Sequence, residues 1–298
     1  MSKYDVVIIG GGPAGLSCAV TAAARGHLVT LFEAKDEIGG QFCLARQIPG
    51  KDEFNETLRY YRYQLQLHNV DVKLGCSAQV KDLNGFDDIV ISTGVTPRKI
   101  VLSGVETNNV SLYSEVLSGK KEIGKKVAII GAGGIGFDMA EYLLHKNSSP
   151  PSVSDFMSWW GVDTKYEREG GLGDVIPMQH ERELYLLQRK KTKPGAGLGK
   201  TTGWIHRMVL KKNGVKILSG VEYIAVSEEG LLIRHNSEKL LLEVDDIIIC
   251  AGQLSELSLA GELDDLGRPY HLIGGALKAG ELDAKRAILE GTELADSL

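Results

Sequence analysis

Gly10, Gly12 and Gly15 stand at the spacing G-x-G-x-x-G within Gly10-Gly11-Gly12-Pro13-Ala14-Gly15. Each glycine has a mechanical task in holding a pyrophosphate. The first permits a tight turn, the second lets the backbone approach the phosphates, and the third lets a helix pack on a strand. The helix N-terminus behind them offers unpaired N–H groups and the positive end of its dipole. Glu33 follows roughly 20 residues later, where a carboxylate accepts hydrogen bonds from the hydroxyls of an adenosine ribose. Gly39-Gly40-Gln41 comes shortly after, and paired glycines there suggest a second close backbone approach, further along an extended ligand. FAD is long enough to need both.

The spacing recurs at Gly131, Gly133 and Gly136. Here the following strand end differs. Aligning Leu28–Lys35 with Glu183–Lys190 puts Gln188 opposite Glu33, with Arg189 and Lys190 directly after it. A carboxylate repels a 2′-phosphate, whereas a neutral amide followed by two cations accepts one. NADPH is therefore the expected second dinucleotide. Lys193 to Thr201 looks like a phosphate loop, but the pattern G-x-x-x-x-G-K-[ST] needs glycine where Pro194 stands. Its glycines are read as shaping a loop near the NADPH phosphates, with Lys200 as a contact.

Acid–base and nucleophilic machinery is not visible. The seven histidines form no cluster, and no G-x-S-x-G elbow occurs. Hydride transfer between cofactors needs neither, because the cofactors carry the chemistry and the protein orients them. Cys18, Cys43, Cys76 and Cys250 include no CxxC, which argues against a metal knuckle, a cluster or a redox pair close in sequence.

The elements that must hold these residues can be read from the pattern. Tyr4–Ile9 is a short β-rich apolar run of the buried parallel type. Leu16–Arg25 is helical and stops at Gly26. Leu28–Phe32 is a strand ending at Glu33. Residues 52–69 carry Phe54, Leu58, Tyr61, Leu65 and His68 on one helical stripe, followed by strands at Val70–Leu74 and Asp88–Ser92. The latter ends at Thr93-Gly94, and Gly94 is a candidate cofactor contact. Residues 95–124 read as an irregular passage. Lys126–Ile130, the second glycine turn and a helix from Phe137 to about His145 repeat the opening unit. Residues 147–181 read as an insertion before the strand Glu183–Gln188. Val221–Val244 reads as a β-meander. The strand Ile247–Cys250 leads to the candidate contact Gly252. Tyr270–Ile273 leads to Gly274-Gly275, with Gly275 a further candidate, and a helix runs from about Glu281 to Ala295.

At about 150 residues per domain, 298 residues suggest two domains. The expected fold is α/β, with two Rossmann-type three-layer dinucleotide-binding domains, the second inserted into the first. Residues 1–105 and 251–298 form the FAD domain, and 106–250 the NADPH domain. A net charge of −5 with mixed signs leaves no basic face for nucleic acid. No run of about 18 apolar residues marks a membrane span. The absence of a secretory signal makes a cytoplasmic location with reduced cysteines the expectation.

A wider set of residues carries a family resemblance. Gly39-Gly40-Gln41-Phe42, Gln47 to Lys51, Gly131 to Asp138, Leu187 to Lys190 with Lys193-Pro194-Gly195, Gly199 to Arg207, and Cys250 to Gln253 resemble the C-terminal half of bacterial NADPH-dependent 2,4-dienoyl-CoA reductases, relatives of trimethylamine dehydrogenase. The resemblance implies FAD contacts at Ala14, Glu33, Gln41, Lys51 and the backbone near Ala78, and NADPH contacts at Arg189 and Lys190. Gly274-Gly275 stands where many two-dinucleotide flavoproteins have Gly-Asp. In that family an old-yellow-enzyme barrel with FMN and a [4Fe–4S] segment reduces the substrate. This chain resembles the reductase half alone, so the expected partner is a protein of that kind or a missing N-terminal half. Two other readings stay open: a free-standing NADPH-dependent flavin oxidase or quinone reductase, and a non-catalytic nucleotide-binding redox sensor.

Overall fold

The computed structural model describes residues 3–145, 152–176, 180–280 and 283–298. In chain order these hold β1 (Asp5–Ile9), α1 (Pro13–Ala24), β2 (Leu28–Phe32), α2 (Gln41–Ala45), α3 (Phe54–Leu67), β3 (Asp71–Lys73), β4 (Asp88–Ile91), β5 (Val95–Pro97), β6 (Val110–Leu112), α4 (Tyr113–Leu117), β7 (Lys126–Ile130) and α5 (Gly134–His145). Then come α6 (Val153–Trp160), β8 (Glu183–Gln188), α7 (Gly203–Lys212), β9 (Lys216–Ser219), β10 (Glu222–Ser227), β11 (Gly230–His235), β12 (Glu238–Leu242), β13 (Asp246–Ile249), β14 (Gln253–Ser255), α8 (Ser258–Asp265), β15 (His271–Leu272) and α9 (Ala284–Ser297).

The chain divides into one unit of residues 1–98 and 253–298, and a second of residues 99–252. In the first, five parallel strands lie in the order β15-β4-β1-β2-β3. Side chains alternate across a strand, and β1 shows the consequence. Val6 and Ile8 pack with Leu16, Ala19, Leu65 and Ala295 on one face. Val7 and Ile9 pack with Leu83, Leu259 and Leu263 on the other. Both faces are therefore covered, as an all-parallel sheet requires. The helix α1 begins with Pro13 in its first turn, where a missing N–H costs nothing. It is fixed from behind by α9: a Cβ on Gly291 would lie 2.2 Å from the Ala14 carbonyl oxygen, and Ser17 and Thr292 hydroxyls meet at 2.8 Å.

The second unit repeats the plan in the order β6-β13-β7-β8-β9, again all parallel. One face of β7, Ala128 and Ile130, packs on Leu231, Ile233 and Leu242 of the antiparallel sheet β10-β11-β12. The helix α5 follows the glycine turn with Phe137, Met139 and Leu143 buried.

The α/β class and the parallel sheets agree with expectation. Several elements do not match the sequence reading. The crossings between units fall at Arg98/Lys99 and Gly252/Gln253, not at 105/106 and 250/251. Ile100 and Leu102 already pack into the second core, Ser103 bridges Ala225, and β5 pairs with β14 inside the first unit. The passage read as irregular holds β6 and α4. The insertion holds α6, capped by the Ser152 hydroxyl accepting the Asp155 N–H at 3.1 Å and ended at Gly161 with φ +70°. Residues 203–212, to which the sequence reading assigned no element, form α7, and α8 and β9 were not foreseen. The first helix starts at Pro13 and the second at Gly134, each about one turn earlier than the apolar pattern indicates. Residues 147–151, 177–179 and the expected helix start at Glu281 lie outside the described residues.

Candidate dinucleotide sites

The three glycines of each turn divide into two that are packed and one that is open. Gly10 adopts φ +110°, and a Cβ there would lie 2.4 Å from the Ser92 carbonyl oxygen at the end of β4. A Cβ on Gly15 would lie 2.0 Å from the Gly10 carbonyl oxygen. Both are glycine because protein backbone fills the space. A Cβ on Gly12 meets no protein atom within 4 Å. That position faces the N-terminus of α1, where a phosphate belongs.

The second turn has the same division. Gly131 adopts φ +116°, with Cys250 carbonyl oxygen 2.3 Å from a built Cβ. Gly136 would meet the Gly131 carbonyl oxygen at 1.8 Å, and Gly133 meets nothing within 4 Å. The turns therefore fit two pyrophosphates, one per unit.

Glu33, Gly39 and Gly40 lie against the first turn, and the other expected residues of this unit are placed as follows. Glu33 is buried. Its Oε2 accepts the Gly11 N–H at 2.8 Å, and its Oε1 accepts the Lys35 N–H at 2.9 Å. Each oxygen keeps a second lone pair for a ribose hydroxyl. The Gly39 N–H donates to the Gly11 carbonyl at 2.7 Å. Gly40, with φ +53°, brings its Cβ direction to 3.0 Å from Gly12 Cα, and Gln41 opens α2 directly after it. Ala14 lies buried on α1, and its Cβ is 2.7 Å from a Cβ built on Gly274. The neighbouring Gly275 carbonyl accepts the Ser255 hydroxyl at 2.6 Å. The Cys76 N–H donates to the Glu33 carbonyl at 2.9 Å, which carries the Ala78 segment past the strand end. The Gly94 carbonyl accepts the Glu256 N–H at 3.0 Å. Lys51 stands in the loop before α3, its N–H on the Ile48 carbonyl at 3.0 Å.

Ser92 was missed by sequence reading. Its hydroxyl is shared between the Ile9 carbonyl at 3.0 Å and the Gly10 carbonyl at 2.9 Å. It pins the first residue of the glycine turn to β4. The only sequence signal is a serine at a strand end before Thr93-Gly94.

Around the second turn, Arg189, Lys190 and Lys200 are exposed. The loop after Lys193 is joined to the glycine turn through the Gly195 N–H, which donates to the Ala132 carbonyl at 3.1 Å. Gly252, with φ +100°, follows β13 beside Gly131. Gln188 does not copy Glu33. Its Nε2 donates to the Lys190 carbonyl at 2.9 Å and the Thr192 carbonyl at 2.7 Å.

All four cysteines are free. Burial pushes the Cys18 thiol up to about 12, and burial with the nearby Glu37 carboxylate pushes Cys43 up to about 11. Burial, with a smaller contribution from Asp138, also raises Cys250. Thiols so placed resist ionisation, and the thiolate is the reactive form. Among the described residues, no group of three or more His, Cys, Asp or Glu could hold a metal ion, and no helix is long and apolar enough to cross a membrane.

Residues 4–270 match the family described as pyridine nucleotide-disulphide oxidoreductase. A metal reductase of Desulforamulus reducens is 26% identical over 92% of this chain and 41% of its own length. A bilirubin reductase of Mediterraneibacter gnavus is 25% identical over 97% of this chain and 40% of its own. The chain thus spans about two fifths of the length of these relatives. Among solved structures, a 2-naphthoyl-CoA reductase superposes with TM-score 0.83 at 24% identity, covering 100% of this chain and 40% of that one. A Lactococcus lactis thioredoxin reductase superposes with TM-score 0.71 at 18% identity, covering 99% and 97%. With its match running almost from end to end, the chain belongs to the pyridine nucleotide-disulphide oxidoreductase family of flavoprotein oxidoreductases.

Proposed function

We propose that the chain is an NADPH-dependent FAD oxidoreductase, with FAD in the first unit and NADPH in the second, each unit a Rossmann-type domain. One observation carries this reading. Both units hold a glycine turn whose middle glycine is open, but only the first has a carboxylate at the adjoining strand end. Gly10, Gly12, Gly15, Glu33, Gly40 and Gln41 hold FAD, with Ala14, Lys51, Ala78, Gly94 and Gly275 along its length. Gly131, Gly133 and Gly136 take the NADPH pyrophosphate, Arg189 and Lys190 the 2′-phosphate, and Lys200 and Gly252 complete that site. Bound FAD supplies a two-electron acceptor that can pass electrons on singly. The protein's share is to orient both dinucleotides and to keep the wrong coenzyme out. A cytoplasmic location belongs to the same proposal, and so does an electron-accepting partner of the FMN and [4Fe–4S] old-yellow-enzyme kind, the latter supported by reductase relatives of which this chain matches only part.

Glu33→Ala tests the FAD assignment. It removes the ribose acceptor and leaves the Gly11 and Lys35 N–H groups without their partner. FAD binding should weaken by roughly 1–3 kcal/mol, measured as the dissociation constant of the reconstituted protein. An unchanged constant counts against the assignment.

A further inference from the structure

The two units use the residue at the strand end beside the glycine turn in opposite senses. Glu33 accepts from backbone N–H groups at 2.8 and 2.9 Å. Gln188 donates: its Nε2 reaches the Lys190 carbonyl at 2.9 Å, the Thr192 carbonyl at 2.7 Å and the Thr192 hydroxyl at 3.4 Å. A single amide nitrogen thereby gathers the carbonyls of the bend that carries Arg189 and Lys190. The bend is also held from its other side. The Gly220 N–H donates to the Lys190 carbonyl at 3.1 Å, and the Val221 N–H to the Gln188 carbonyl at 3.0 Å.

Its continuation is fixed as well. The Gly195 N–H bonds the Ala132 carbonyl within the glycine turn at 3.1 Å. Arg207, on α7, donates from Nη1 to the Gly195 carbonyl at 3.1 Å. Gly195 has φ +69°, and a Cβ there would lie 2.7 Å from Leu198 and 2.9 Å from Phe137. The cationic bend is thus clamped at its start by Gln188 and tied downstream to the turn that takes the pyrophosphate.

We infer that Gln188 is a positioning residue for coenzyme selection: its amide N–H groups hold the bend that presents Arg189 and Lys190 to a 2′-phosphate. This rests on the reading that the second unit takes NADPH. It goes further in one respect. If Gln188 mattered only by lacking a negative charge, any uncharged side chain would serve. The geometry uses a donor: one side-chain nitrogen bonds the Lys190 and Thr192 carbonyl oxygens together, whereas the Gly220 N–H reaches the first of them alone. Leucine is similar in size and uncharged but donates nothing, so it separates the two accounts. Asparagine keeps the amide donor on a side chain one methylene shorter and adds no charge.

The test is calorimetric binding of adenosine 2′,5′-bisphosphate and adenosine 5′-monophosphate to the full flavin-loaded chain. The wild type should prefer the bisphosphate. Gln188→Leu should weaken the bisphosphate about tenfold, the loss of an otherwise satisfied pair of hydrogen bonds, and leave the monophosphate within about twofold. Retained monophosphate affinity also reports that the unit is folded. Gln188→Asn should recover part of the bisphosphate affinity lost in Gln188→Leu. A Gln188→Leu protein with wild-type preference overturns the inference, as does a Leu or Asn variant that loses both ligands equally. The double change Arg189→Ala, Lys190→Ala keeps the two layers apart. If it abolishes the preference while Gln188→Leu does not, only the positioning role falls. If the wild type binds both ligands alike, the NADPH reading falls and takes the inference with it.

Discussion

Gly15→Ala should lower the unfolding midpoint of the flavin-free protein by roughly 10 °C and yield protein that retains no flavin. The added methyl would sit 2.0 Å from the Gly10 carbonyl oxygen and 2.5 Å from the Ser92 hydroxyl. The backbone oxygen cannot yield. The Gly10 carbonyl is part of the turn and also accepts from Ser92, and α1 is held behind by Gly291 against the Ala14 carbonyl. Overpacking against backbone costs about 3 kcal/mol at the upper end of the usual range, and each kcal/mol moves the midpoint of a domain this size by a few degrees. Gly12→Ala is the contrast. Gly12 has φ −78° and ψ 179°, an extended conformation that alanine adopts freely, and its Cβ meets nothing within 4 Å. It should leave the midpoint within about 2 °C and still lose FAD, because the methyl enters the space of the pyrophosphate. Comparing flavin-free proteins removes the stabilisation that bound ligand adds by mass action. A Gly12→Ala protein that holds FAD as well as the wild type would show that the open glycine does not face the phosphates.

The second large effect concerns the acceptor. With NADPH present, the chain alone should leave 2,4-dienoyl-CoA unreduced, and air should reoxidise the flavin slowly. Addition of a separately made FMN barrel protein with its [4Fe–4S] cluster should raise substrate reduction from background to enzymatic rates. Two observations motivate this. The described residues offer no candidate metal group and the cysteines no paired thiols. The named reductases that match nearly all of this chain have more than half of their length outside the match: 41% is covered in the metal reductase and 36% in a Clostridium sporogenes cinnamate reductase. Stopped-flow and steady-state rates decide the matter. Reduction of dienoyl-CoA by the chain alone at or above about 1 s⁻¹ reveals a substrate site within it and ends the half-enzyme reading.

How much of this was legible in the sequence depended on whether a residue's role is local. Gly15 and Gly136 could be read because a strand–turn–helix corner leaves no room for a Cβ against the carbonyl five residues earlier, and Gly10 and Gly131 because the same motif spacing marks the tight turn, although the backbone that crowds them, at Ser92 and Cys250, lies far along the chain. Glu33 and Gln188 were located by their strand patterns, since β1 and β2 pair in register, as do β7 and β8. What Gln188 does was not legible. Whether an amide turns back to the glycine turn or forward onto Lys190 and Thr192 depends on the course of the next four residues. Ser92 was hidden because its partners, Ile9 and Gly10, lie a whole domain fragment earlier in sequence. The helices α6, α7 and α8 escaped because they are short and begin in segments rich in glycine, serine or threonine. Tertiary packing of Trp159, Leu210 and Leu263 selects the helix there, which local propensity does not. The early crossing between units escaped for the same reason: Ile100 and Leu102 join a core assembled from strands far along the chain.

The most direct test of the central claim is an anaerobic titration of the purified protein with NADPH, followed by denaturation and identification of the released flavin. The account predicts one FAD per chain, and loss of the yellow absorbance with about one equivalent of NADPH at concentrations where NADH acts poorly. Release of FMN, absence of flavin after reconstitution, or equal bleaching by NADH and NADPH would contradict it.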